Sequence, residues 1–117
     1  MFARGLRTGR PETRWWFTSR LPLLEKAVRD AIEAERLDRS FVLPPTVFGP
    51  QPTTDGGFFH LEGVPLVNLL AAPFYLFDAM DKLDKVDRAS LVPITRAAIR
   101  IVEATAGVSA AAMRRGG

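Results

Sequence analysis

The sequence predicts an α/β fold built in layers, and three observations carry that expectation. An apolar stripe at three- and four-residue spacing runs from Ser19 to about Arg36, the period of an amphipathic helix. A nearly continuous apolar run, "VPLVNLLAA" at 64 to 72, reads as a strand buried on both faces, as in the middle of a parallel sheet covered by helices. A second helical stripe fills Arg88 to Thr105. The order helix, strand, long loop, short helix, strand, loop, helix is that of a layered α/β architecture.

Taken from the N-terminus, "TRWWFT" is rich in β-formers and predicts a short strand bounded by Pro11 and Ser19. In the helix that follows, Leu23, Leu24, Ala27, Val28, Ala31 and Ile32 make the stripe, with Ser19 as the capping residue. Pro22 suits the first turn, where its missing N–H is harmless. "SFVL" opens as a strand and gives way to a loop stiffened by Pro44, Pro45, Pro50 and Pro52. "FFHLEG", 58 to 63, is one helical turn stopped by Gly63. In the long helix from Arg88, Leu91, Ile94, Ala98, Ile101, Val102 and Thr105 are read as one face, with Asp87 as N-cap and Gly107 past the end. Ser109 to Arg115 adds a turn or two.

The bulk numbers narrow the chemistry. The chain has 117 residues, 47% apolar and 25% charged, a composition that predicts one globular domain. The longest apolar run, Val64 to Phe77, is broken by Pro65, Asn68 and Pro73 and falls short of the roughly 20 residues of a spanning helix, so no membrane partner is expected. Arg4, Arg7, Arg10, Arg14 and Arg20 punctuate the first twenty residues without a secretory apolar stretch. The expectation is a cytoplasmic protein, or a chain whose true N-terminus lies further upstream. Having no cysteine, it is limited to carboxylates, hydroxyls and one histidine for any chemistry.

The net charge is +3, with the basic excess in the N-terminal arginines and in Arg114 and Arg115. Such arms can release counterions from nucleic acid, and "RWWF" could stack on bases. The arginines are scattered and form no continuous stripe, so no nucleic-acid partner is expected. Residues 1–19 are read as a poorly defined basic segment and 20–117 as the folded portion.

Four aspartates, Asp78, Asp81, Asp84 and Asp87, recur at every third position after an aromatic cluster. An EF-hand loop needs ligands at alternate positions, a glycine and a terminal glutamate; here the spacing is three, with Lys82 and Lys85 interleaved. The plainer reading is a solvated, lysine-paired loop entering a helix, where acids are favoured. His60 and Glu62 stand two apart, so on a helical turn their side chains point in different directions and His60 is not read as a ligand.

The stretch from 53 to 91 nevertheless resembles the closing part of the co-catalytic zinc aminopeptidases and glutaminyl cyclases. Thr54-Asp55, Phe59, Gly63-Val64-Pro65, Asp81, Asp84, Val86 and Asp87 match that family's pattern in order and spacing. The resemblance implies part of a three-layer αβα sandwich of the zinc exopeptidase type, peptide substrates and zinc in intact relatives. It implies that Asp55 is the acid supporting the metal site, the one catalytic role carried over. Phe74, Tyr75 and Phe77 would line the substrate pocket. Where the family has a ligand histidine this chain has Phe77, whose ring offers no lone pair to zinc; Asp78, next to it, is the substitute oxygen donor to consider. The family's upstream His-x-Asp and Glu-Glu motifs have no counterpart here, and a two-metal centre needs those ligands and a base.

The sequence is therefore read as a fragment or diverged remnant of a zinc aminopeptidase-like hydrolase, inactive and zinc-free alone. The alternative is a non-enzymatic protein-interaction domain. A sheet cut in this way exposes an edge and an apolar face, which predicts self-association as a homo-oligomer.

Overall fold

The computed structural model describes residues 13–52, 54–71 and 88–114. Their elements are β1 (Arg14–Thr18), α1 (Pro22–Ala34), β2 (Ser40–Leu43), α2 (Gly57–Leu61), β3 (Val67–Leu70), α3 (Arg88–Thr105) and α4 (Ala110–Arg114). Helices and a three-stranded mixed sheet make the fold α/β, with strand order β2-β1-β3.

β1 and β2 are parallel, Trp16 lying opposite Val42, and α1 is the crossover between them. A parallel pair needs such a crossover because a tight turn cannot return the chain to the same end. Residues 14 to 18, which the sequence places in the basic segment 1–19, form the central strand. Arg14 departs furthest from a solvated arm: it is only 4% exposed. Its guanidinium donates to the Asp38 carbonyl oxygen at 2.8 Å and to Ser90 Oγ at 2.7 Å.

β3 corrects the expected interior parallel strand. It pairs antiparallel with β1, Trp16 opposite Leu69 and Thr18 opposite Val67, and at the sheet edge among the described residues. All four of its side chains are half-buried. A continuous apolar run records burial on both faces but carries no information about strand direction.

Side chains alternate across the sheet. Trp16, Val42, Val67 and Leu69 face the helices and join Val28, Ala31, Leu37, Ile94, Ala97 and Ile101 in the core. Ala31 and Ala97, both almost fully buried, let the α1 and α3 backbones approach closely. α1 follows its predicted stripe, with Leu24, Ala27, Val28 and Ala31 buried and Pro22 in its first turn. Its N-cap, however, is Leu21, without a side-chain cap bond. Ser19 instead serves the sheet: its N–H donates to the Leu66 carbonyl at 3.0 Å, and its Oγ accepts from the Leu66 N–H at 2.9 Å.

On α3 the buried face is Ser90, Ile94, Ala97 and Ile101. Leu91, Ala98 and Val102 lie outside it, exposed. The expected single face merged two stripes, because α3 carries more apolar residues than one contact surface uses.

Candidate functional site

The other face of the sheet carries Trp15, Phe17, Phe41, Asn68 and Leu70, since Trp15 stands in one row with Phe41 and Leu70, and Phe17 opposite Asn68. The proline-rich loop after β2 folds onto this face. Turns with Val47 N–H to Pro44 O and Gly49 N–H to Thr46 O bend it, while Pro45 and Pro52 are buried. Phe48 is thereby laid against the strand aromatics, 5.3 Å from the Trp15 ring and 6.0 Å from Phe17, the latter edge-on. Trp15 and Phe17 meet edge to face at 6.3 Å. These are favourable separations for aromatic pairs.

Asp55 sits where this loop ends. Thr54 shapes the turn: its Oγ1 accepts from the Gly56 N–H at 3.3 Å, and its carbonyl accepts from the Gly57 N–H at 3.0 Å. Two close approaches require the glycines that follow. A Cβ on Gly57 would stand 2.6 Å from the Pro52 carbonyl oxygen, and one on Gly56 would stand 2.9 Å from Asn68 Oδ1. "DGG" is thus the packing point of the loop against itself and against β3. α2 follows and ends at Gly63, whose φ of 75° suits glycine. The Gly63 and Val64 N–H groups close the helix end on the His60 and Phe59 carbonyls, the paired bonds of a Schellman cap.

Because β3 runs against β1, the chain enters β3 beside the carboxyl end of β1 and leaves it beside the start of β1. The Asp55 turn approaches Asn68, in the row of Phe17 near the carboxyl end of β1, the end at which open α/β sheets bind ligands. The chain leaving β3 starts from Leu70, beside Trp15 near the beginning of β1. The pocket residues Phe74, Tyr75 and Phe77, the candidate ligand Asp78 and the rest of the aspartate series lie outside the described residues.

Asp55 is exposed, and its carboxylate makes no hydrogen bond or ion pair among the described residues. His60 is partly exposed on α2, and Glu62, just past the helix, is exposed. Among the described residues no group of three or more His, Asp or Glu side chains is gathered closely enough to hold a metal ion. The Trp15, Phe17 and Phe48 cluster is absent from the sequence-predicted site. Its signal was present in "RWWF", where strand alternation sends Trp16 to the core and its two aromatic neighbours to the other face.

Elsewhere, a cleft of about 400 Å3 between α1 and α3 is lined by Ala27, Asp30, Ala31, Arg100, Glu103 and Ala104. Arg100 Nε bridges the two helices by donating to Glu35 Oε2 at 2.7 Å. No helix among the described residues is long and apolar enough to cross a membrane. No family model, curated protein or solved structure matches the chain.

Proposed function

We propose that this chain is a portion, or a diverged remnant, of a zinc aminopeptidase-like domain and does not hydrolyse peptides by itself. The observation that carries the reading is the ordered resemblance of Thr54-Asp55, Phe59 and Gly63-Val64-Pro65, followed by a strand and a long helix. In an intact relative this portion would supply a supporting acid, Asp55, and aromatic pocket wall. Ligands and base would come from elsewhere, because the His-x-Asp and Glu-Glu motifs are lacking. No step of hydrolysis is assigned to the described residues.

The test is equilibrium zinc binding by metal analysis after dialysis, combined with an aminopeptidase assay on chromogenic aminoacyl substrates. The expected outcome is less than stoichiometric zinc and no turnover. Stoichiometric zinc with turnover would sink the proposal, as would an upstream coding sequence lacking in-frame His-x-Asp and Glu-Glu motifs for the fragment form of it.

A second reading, a non-enzymatic interaction domain, is favoured by the exposed aromatics Phe41 and Phe48, which share the side of the sheet that carries Trp15. Clustered exposed apolar side chains mark binding surfaces more often than scattered ones do. Retained activity in the assay above would exclude this reading as well.

A further inference from the structure

The helix α3 has a second apolar stripe that the core does not use. Val92, Ile99 and Val102 are 57%, 51% and 64% exposed, and Thr95 is exposed between them, its hydroxyl turned back onto the Leu91 carbonyl at 2.7 Å. Positions 92, 95, 99 and 102 are spaced three, four and three apart, the seam of a helix that packs against another helix. The buried stripe at 90, 94, 97 and 101 points well away from it, since each residue advances the helix by about 100°. One stripe is occupied by α1 and the sheet. The other lies on the far side of the helix layer from the Trp15, Phe17 and Phe48 cluster, so its role is independent of the peptidase reading.

The charges beside this stripe specify what covers it. Arg96 and Glu103 follow Thr95 and Val102 by one residue each, and so flank the same side of the seam. Both are exposed, and neither forms an ion pair among the described residues. Seven residues apart, about 10 Å along the axis, they do not reach each other within one helix. Together with Glu35, Ile99 and Arg100 they line a shallow recess of about 270 Å3.

In a parallel pair of α3 helices Arg96 and Glu103 would meet Leu91 and Ala98 and gain no charge partner. In an antiparallel pair with a two-fold axis between residues 100 and 101, Ile99 layers on Val102 of the other copy and Thr95 on Ala106. Arg96 then faces Glu103 of the other copy, and the symmetry makes that pair twice. The opposite ends of the flank carry opposite signs, which is the condition for a self-complementary surface.

We propose that a second copy of this chain docks on the outer face of α3, antiparallel and isologous, through Thr95, Ile99 and Val102, with reciprocal Arg96–Glu103 pairs. So short a seam buries an area at the small end of specific interfaces, below about 1,200 Å2, so the dimer is reversible and concentration-dependent.

Sedimentation equilibrium on the full chain over a concentration series tests this. Wild type is expected to shift from monomer to dimer, and Ile99→Lys with Val102→Lys to remain monomeric. Phe41→Lys, on the sheet's other face, is expected to dimerise like wild type. Arg96→Glu or Glu103→Arg alone places like charges opposite each other and is expected to raise the dimer Kd by about tenfold or more. The double reversal R96E/E103R is expected to restore wild-type affinity. Circular dichroism on each variant verifies that the helices are intact, and the rescue by the double reversal cannot come from misfolding. A wild type that stays monomeric up to its solubility limit would overturn the proposal. So would association that survives I99K/V102K, association abolished by F41K alone, or charge reversals without mutual rescue.

Discussion

Arg14 shows how much a single residue's setting can differ from its composition class. Counted with the scattered N-terminal arginines it belongs to a solvated arm; in the sheet it is a buried cation joining β1 to the 36–39 turn and to α3. The Asp38 carboxylate, 3.9 Å away and itself 85% exposed, adds little, so the bonds to the Asp38 carbonyl and Ser90 Oγ matter more. Removing an acceptor from a charged, buried donor costs about 1.5–3 kcal/mol. Ser90→Ala is expected to lower the unfolding free energy by that amount, read as a lower urea midpoint at unchanged slope, the signature of lost stability without a change in exposed surface. A wild-type midpoint would show that Ser90 Oγ is replaceable. Nothing in the sequence marks Arg14 as different from Arg10 or Arg20. The difference lies in strand alternation, which turns positions 14, 16 and 18 together toward the helices.

At the scale of elements, helix ends show what is and is not legible. Gly63 announces the end of α2, because glycine adopts positive φ without steric cost. α1 ends in the same way, with Arg36 and Leu37 N–H groups bonded to the Glu33 and Ile32 carbonyls, but there the left-handed position is Arg36, at φ 52°. A non-glycine residue gives no local signal, and Leu37, buried beyond the turn, is what holds the chain in place. The apolar periods of α1 and α3 were readable for a related reason: each is long enough to repeat. The direction of β3 and the choice of buried face on α3 were not, since both depend on neighbours distant in sequence.

Along α1, Lys26 Nζ donates to Asp30 Oδ2 at 2.6 Å. The hydrogen bond that Asp30 accepts, and then its negative charge, raise the Lys26 pKa above the ordinary 10.5. The folded value exceeds the unfolded one, so whatever stability the pair adds is fully present below pH 10.5 and is lost as pH rises through the raised value. Both groups are solvent-exposed and the contribution is screened. Asp30→Asn is expected to return the Lys26 titration midpoint, followed by NMR at the side chain, toward the ordinary value. It is also expected to leave any stability difference from wild type constant across neutral pH. An unchanged midpoint would show that the pair does not persist in solution.

For the molecule as a whole, the candidate site was legible only as a string. Asp55 and the glycines after it occupy a defined turn beside β3, and the need for "DGG" follows from approaches to Pro52 and Asn68 that only a folded chain reveals. The aromatic cluster across the sheet was hidden because the three aromatic residues in "RWWF" do not say which of them faces the core. The charged flank of α3 was visible as letters, but its meaning required knowing which stripe the fold had already consumed.

The placement of β1 also sets the order of events during folding. β1 is made before α3, yet its core face is covered by Ile94, Ala97 and Ile101 of that helix, and Arg14 meets Ser90 across 76 residues. Contacts between segments so far apart in sequence slow folding, because the loop between them must close first. While the ribosome still holds α3, Trp16 has no lid and the nascent chain must be kept from other apolar surfaces. A chain ending at residue 87 is therefore expected to show no cooperative thermal transition by circular dichroism, and a cooperative transition in that truncation would show that α1 and the sheet fold as a unit first.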